Sequence, residues 1–268
     1  MIPHAFITEW SLQVPWQTNE QVEQDLVICR ALLQIFSDPW LAGSLAFRGG
    51  TALHKLYLQP QLRYSEDIDL VQLRAEPIKE TIQRLQAALS FLGESAVIPR
   101  RDGIRIVFRF DSEFPPSIRL RLKVEANTRE HFSVLGYEKF DFTVNSSWIK
   151  ETMLSPNGQL TTYKPEELLG TKLRALYQRR KGRDLFDLYI ALTKKPELDI
   201  ESLLYCYKEY MRYSVGKEST QREFMLNMDA KIRDPEFLGD TTGLLRPNII
   251  YNALVAYELV KNELIEHI

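Results

Sequence analysis

Apolar positions recur along the chain with two different periods, and the change from one to the other divides it. Over residues 20 to 36, Val22, Leu26, Cys29, Leu32, Leu33 and Phe36 fall at helical spacing until Asp38-Pro39, which predicts an amphipathic helix stopped by proline. Leu45-Ala46-Phe47 then runs into Arg48-Gly49-Gly50-Thr51, and Ala52, Leu53, Leu56 and Tyr57 resume a helical pattern up to Pro60. That order predicts strand, glycine turn, helix. Residues 66 to 73 alternate as a strand, Ile78 to Phe91 has helical spacing, and residues 104 to 110 and 118 to 126 are the clearest strands. In the last of these Ile118, Leu120, Leu122, Val124 and Ala126 share one face, and Arg119, Arg121, Lys123 and Glu125 share the other.

From about residue 155 the character changes: Ser155-Pro156-Asn157-Gly158 is a turn cluster, and from Pro165 onward the patterns are almost all helical. Pro165 followed by Glu166 and Glu167 predicts a helix start, since proline is tolerated in the first turn and acids there complement the dipole. Further helices are expected over roughly 183 to 193, 199 to 213, 220 to 230 and 247 to 265, with Gly182 ending the helix before them. The expected organisation is α+β, with a core domain over residues 1–160 and a helical domain over 161–268.

Composition changes this picture little. The 268 residues are 44% hydrophobic and 26% charged, enough apolar material for a sizeable core in one or two domains. Thirty-four basic against thirty-six acidic residues leave a net charge of -2, so any nucleic-acid binding must come from a local patch. Cys29 and Cys206 sit on apolar helical patterns far apart and are expected in the core; four scattered histidines offer no zinc spacing. No signal peptide and no apolar run of membrane-spanning length is evident. A cytoplasmic protein without membrane association is expected.

Candidate chemistry centres on Arg63-Tyr64-Ser65-Glu66-Asp67-Ile68-Asp69-Leu70. In a strand Asp67 and Asp69 project from one side, and two adjacent carboxylates are unfavourable until a cation such as Mg2+ takes oxygen ligands from both. Glu125, on the polar face of its own strand, is the candidate third ligand. Strand alternation requires it to face the same cleft as the aspartates, within roughly 4 to 6 Å of them if it shares a metal shell. Gly49 and Gly50 lie where a strand enters a helix, so backbone N–H groups could approach a phosphate. Lys172, on the flank of a helix whose buried stripe is Leu169, Leu173 and Leu176, suits a triphosphate. Asp184 accompanies it as a functional candidate, whereas Asp187 is expected in a structural ion pair or cap.

Four stretches together resemble the AbiEii/MenT family of nucleotidyltransferase toxins: Phe47-Arg48-Gly49-Gly50-Thr51-Ala52-Leu53; Arg63 through Leu70; Leu122-Lys123-Val124-Glu125-Ala126-Asn127; and Lys172 through Arg183-Asp184-Leu185-Phe186-Asp187-Leu188. The resemblance implies a DNA polymerase β-like nucleotidyltransferase core with a mixed sheet, followed by a helical domain that contributes Lys172 and Asp184 to the cleft. It implies that Gly49, Gly50 and Thr51 contact nucleotide phosphates, with Arg63 and Ser65 placed beside them, and that Asp67 and Asp69 bind Mg2+ or Mn2+. It also implies an NTP substrate, an acceptor such as the 3′ end of transfer RNA, and an AbiEi-type antitoxin partner. Arg119, Arg121 and Lys123, with Arg179, Arg180 and Lys181, are the expected acceptor surface. The alternatives are nucleotide transfer to a protein hydroxyl and a non-catalytic NTP-binding module.

Overall fold

The computed structural model describes residues 2–14 and 16–268, which divide into two compact units. The first comprises residues 1–56, 64–132 and 137–162; the second comprises 57–63, 133–136 and 163–268.

The first unit is built on a mixed seven-stranded sheet. Its strands are β1 (Leu45–Arg48), β2 (Asp67–Gln72), β3 (Ser95–Arg100), β4 (Gly103–Asp111), β5 (Arg119–Asn127), β6 (Tyr137–Thr143) and β7 (Asn157–Tyr163), in the order β3-β4-β5-β2-β1-β7-β6. β2 pairs antiparallel with β1 and parallel with β5, so the centre of the sheet carries both strand directions. Helices α1 (His4–Ser11), α2 (Asn19–Ser37) and α3 (Pro39–Ser44) precede β1, and α4 (Gly49–Ala52) follows it. α5 (Lys79–Ala88) and α6 (Ser147–Thr152) also belong to this unit.

The long expected helix is α2, capped by Thr18 and stopped at Asp38, whose carboxylate in turn caps α3. Strand β5 alternates as expected from residue 119 on: Leu120, Leu122, Val124 and Ala126 are buried while Arg119 and Arg121 are exposed, but Ile118, expected on the buried face, lies before the strand and is exposed. β3 escapes the sequence pattern because it is an edge strand containing Pro99, with Val97 through Arg100 exposed; an edge strand buries neither face fully and tolerates proline.

After α4 the chain continues as one π-helical turn, Leu53–Tyr57. This turn carries Lys55 inward, where its ammonium donates to Asp25 Oδ1 at 2.9 Å and to Cys29 Sγ at 3.2 Å. Trp10 Nε1 donates to the other Asp25 oxygen at 3.0 Å. Burial pushes the Cys29 thiol up to about 12, so it is unreactive.

The second unit is helical: α7 (Pro165–Gln178), α8 (Gly182–Lys194), α9 (Ile200–Val215), α10 (Gln221–Lys231), α11 (Pro235–Gly239) and α12 (Ala253–Glu263). Pro165 opens α7 as its pattern predicts. Gly182 does not end that helix; α7 stops at Gln178 and Gly182 opens α8. The reason is steric, because a Cβ there would stand 2.1 Å from the Phe237 carbonyl oxygen. Among the described residues no helix is long and apolar enough to cross a membrane.

Candidate active site

The acidic face of the sheet follows from period-two alternation in β2. Ile68 and Leu70 are buried in the core, and Asp67 and Asp69 stand together on the opposite, part-exposed side. The antiparallel partner β1 ends at Arg48, opposite Asp69, and Gly49 follows with φ +79°. A Cβ on Gly49 would lie 2.1 Å from Asp69 Oδ2. Only glycine allows the backbone to press this closely on the carboxylate while adopting that left-handed conformation. Thr51 anchors the same turn, its hydroxyl donating to the Asp67 carbonyl oxygen at 2.6 Å.

Parallel pairing of β2 with β5 puts Asp67 beside Lys123 and Asp69 beside Glu125. Directly paired residues project from the same side of a sheet, so Glu125 stands on the aspartates' face. Its carboxylate is held by Arg105, its neighbour on β4, with Nε–Oε1 at 2.7 Å and Nη2–Oε1 at 2.5 Å. Lys123 Nζ reaches the two Asp67 oxygens at 3.1 and 3.4 Å. Burial raises the Asp67 carboxyl above its ordinary value; Lys123 opposes the rise, and Glu66 and Glu125 add to it.

These residues suit a hard divalent cation in donor type. Two carboxylates share one face, and one sits in a cradle that a side chain at position 49 would fill. Among the described residues no group of three or more His, Cys, Asp or Glu side chains is arranged to hold a metal. Glu125 is turned to Arg105, and Asp67 and Asp69 are the candidate donor pair.

The helical unit gathers a second charged cluster. Lys172 on α7 donates to Asp184 Oδ1 at 3.0 Å and lies 2.9 Å from Asp187 Oδ2, both on α8. Arg179 grips Asp184 through Nε at 2.6 Å and Nη2 at 2.8 Å. Arg63, from the segment 57–63, grips Asp187 in the same two-pronged way at 2.6 and 2.8 Å. Burial pushes Asp184 up, but Lys172 and Arg179 outweigh it and hold the carboxyl below its ordinary value. Asp187 has the structural ion pair expected of it, and Arg63 is engaged there rather than displayed to solvent.

The remaining candidates separate by environment. Gly50 and Thr51 are buried in the first turn of α4, and Ser65 is buried just before β2. On the expected acceptor surface Arg119 is paired with Asp111 and Lys123 with Asp67. Arg180 lies 3.4 Å from Asp234, and Lys181 3.4 Å from Asp240. Arg121 remains exposed, and β4 places Arg109, also exposed, directly opposite it. Arg105, Arg109 and the pairing of Lys123 with Asp67 escaped the sequence pattern. Alternation shows which side of a strand a residue takes, whereas only inter-strand register shows what stands next to it.

A family model described as nucleotidyl transferase AbiEii toxin, type IV toxin–antitoxin system, matches residues 30–248. No curated protein matches the chain in sequence. MenT4, a nucleotidyltransferase toxin from Mycobacterium tuberculosis, has a similar structure, with a TM-score of 0.68 at 16% identity over 100% of this chain and 91% of that one. JHP933 from Helicobacter pylori is similar with a TM-score of 0.55 at 19% identity over 92% of each chain. At these identities the likeness concerns the fold.

Proposed function

The chain belongs to the AbiEii family of nucleotidyltransferase toxins of type IV toxin–antitoxin systems, and from that premise we propose a specific reaction for it. An acceptor hydroxyl attacks the α-phosphate of a nucleoside triphosphate, the bond to the β-phosphate breaks, and pyrophosphate leaves. The hydroxyl proton passes to a carboxylate oxygen of the acidic face or to water. The acceptor is the 3′ end of a transfer RNA, and an AbiEi-type antitoxin is the partner that the family implies. The reaction belongs in the cytoplasm, where both substrates are found.

The observation that carries this reading is the Asp67–Asp69 pair, part-exposed on one sheet face with Gly49 pressed against Asp69. Asp67 and Asp69 would hold Mg2+ or Mn2+, and Glu125 would join them on leaving Arg105. A cation held there would supply neutralisation of charge on the transferring phosphate and the leaving oxygen. Gly49 and Gly50 offer backbone N–H groups to the phosphates, with Thr51 tying the turn to β2. Lys172 serves the triphosphate and Asp184 orients its ammonium, a role supported by the ion pair that already fixes both. Ser65 and Arg63 support the nucleotide site from the segment leading into β2. Arg121 and Arg109 offer backbone phosphates of the acceptor two guanidinium groups without an acidic partner among the described residues.

Incubating the protein and total RNA with each α-labelled NTP in turn tests the reading. Label on RNA of transfer-RNA size is expected with at least one nucleotide. Label on a protein band instead redirects the acceptor to a protein hydroxyl, and no transfer with any NTP overturns the reaction.

A further inference from the structure

The acidic face supplies its own cations through strand register. Asp67 has Lys123 beside it on β5, and Glu125 has Arg105 beside it on β4. Neither pair is sealed. The Lys123 and Asp67 side chains are 28% and 34% exposed, whereas those of Lys172 and Asp184 are 8% and 0% exposed. A part-exposed pair can open to water at small cost, because its Coulomb energy is screened and each ion regains hydration on release. The Lys123–Asp67 contact is thus strong enough to offset repulsion among neighbouring carboxylates and weak enough to exchange.

We propose that Lys123 is the resting counter-ion of the metal site. Its ammonium neutralises Asp67 while no divalent cation is bound and must move aside when one enters. The inference rests on the assignment of Asp67 and Asp69 as the metal-binding pair. The ammonium stays protonated throughout, so the exchange swaps one positive partner of Asp67 for another. Apparent metal affinity falls by the fraction of molecules in which Asp67 is free. In return, the carboxylate face folds without requiring metal. Arg121, two residues earlier on the same strand face and without an acidic partner among the described residues, adds positive charge nearby but does not occupy Asp67.

The test is titration of Mn2+ alone into the full chain, with free Mn2+ read by electron paramagnetic resonance, alongside thermal melting in EDTA and in Mg2+. Lys123→Met should bind Mn2+ roughly two- to fivefold more tightly, the range of a part-exposed ion pair. It should also melt at lower temperature in EDTA and recover with Mg2+. Lys123→Arg retains a cation on Asp67 and should behave as the wild type; Arg121→Gln should leave Mn2+ affinity within twofold. Unchanged or weaker Mn2+ binding in Lys123→Met overturns the counter-ion role. Equal tightening in Arg121→Gln overturns it too, by attributing the effect to the general field. If the wild type binds Mn2+ and Lys123→Met binds no tighter, only this inference falls. If neither binds Mn2+, the metal assignment of Asp67 and Asp69 falls with it.

Discussion

In the sheet unit Asp67 meets one ammonium at 3.1 Å and keeps about a third of its side chain exposed. In the helical unit Asp187 is fully buried between Arg63 at 2.6 Å and Lys172 at 2.9 Å. Burial acts in the same direction on the carboxylates of both units, yet Asp67 ends above its ordinary pKa and Asp184 ends below. The number of cations decides the difference. One lysine on a part-exposed face leaves Asp67 ready for a further positive partner. Lys172 and Arg179 together satisfy Asp184, Arg63 and Lys172 hold Asp187, and a network in which each carboxylate has two cationic partners holds its members in place. Charged residues of the same kinds therefore make an exchangeable site in one unit and a fixed framework in the other.

The largest effect that separates the two concerns chemistry. Asp69→Asn should lower nucleotide transfer by about 10²- to 10³-fold, the scale on which loss of preorganised electrostatic stabilisation is felt, with little change in melting temperature. Transfer within tenfold of wild type, measured with labelled NTP, would show that the acidic face is not the reaction centre. The next effect concerns stability. Arg63→Met removes the two-pronged partner of a buried carboxylate and should cost about 3 kcal/mol in denaturant unfolding. Lys123→Met, at a part-exposed pair, should cost no more than about 1 kcal/mol. Equal costs would erase the distinction between exchangeable and fixed clusters.

The smallest effect is a pH dependence within the helical unit. Lys231 is buried and donates to the Leu176 and Tyr177 carbonyl oxygens at the end of α7. Burial lowers its pKa from 10.5 to about 8, with Asp184 opposing. Between those values the unfolded chain binds a proton that the folded chain has released, so this residue makes stability rise with pH. The wild type should gain on Lys231→Met by on the order of 1 kcal/mol between pH 7.5 and 9.5. A gain for the variant over that range would contradict the burial of the ammonium.

Much of the architecture was legible in short-range pattern. The spacing of Val22 through Phe36 gives α2, alternation gives β2 and β5, and Pro165 with its two acids gives α7. These elements each bury one face, and burial writes itself into the order of residues. β3 and α11 were not legible, because an edge strand and a five-residue helix bury too little to impose a period. Gly182 was misread for a related reason: glycine next to a helix end suits a cap, but here it admits the Phe237 carbonyl.

The candidate site divides along the same line. That Asp67 and Asp69 share a face, and that Glu125 lies on the polar side of its strand, is a property of the sequence, since successive strand side chains must alternate. That Lys123 stands on Asp67, that Arg105 holds Glu125, and that Arg63 belongs to Asp187, 124 residues away, was decided only by tertiary structure. Alternation is a local property of one backbone, whereas partners are set by register and packing between segments that their own sequences leave free to slide.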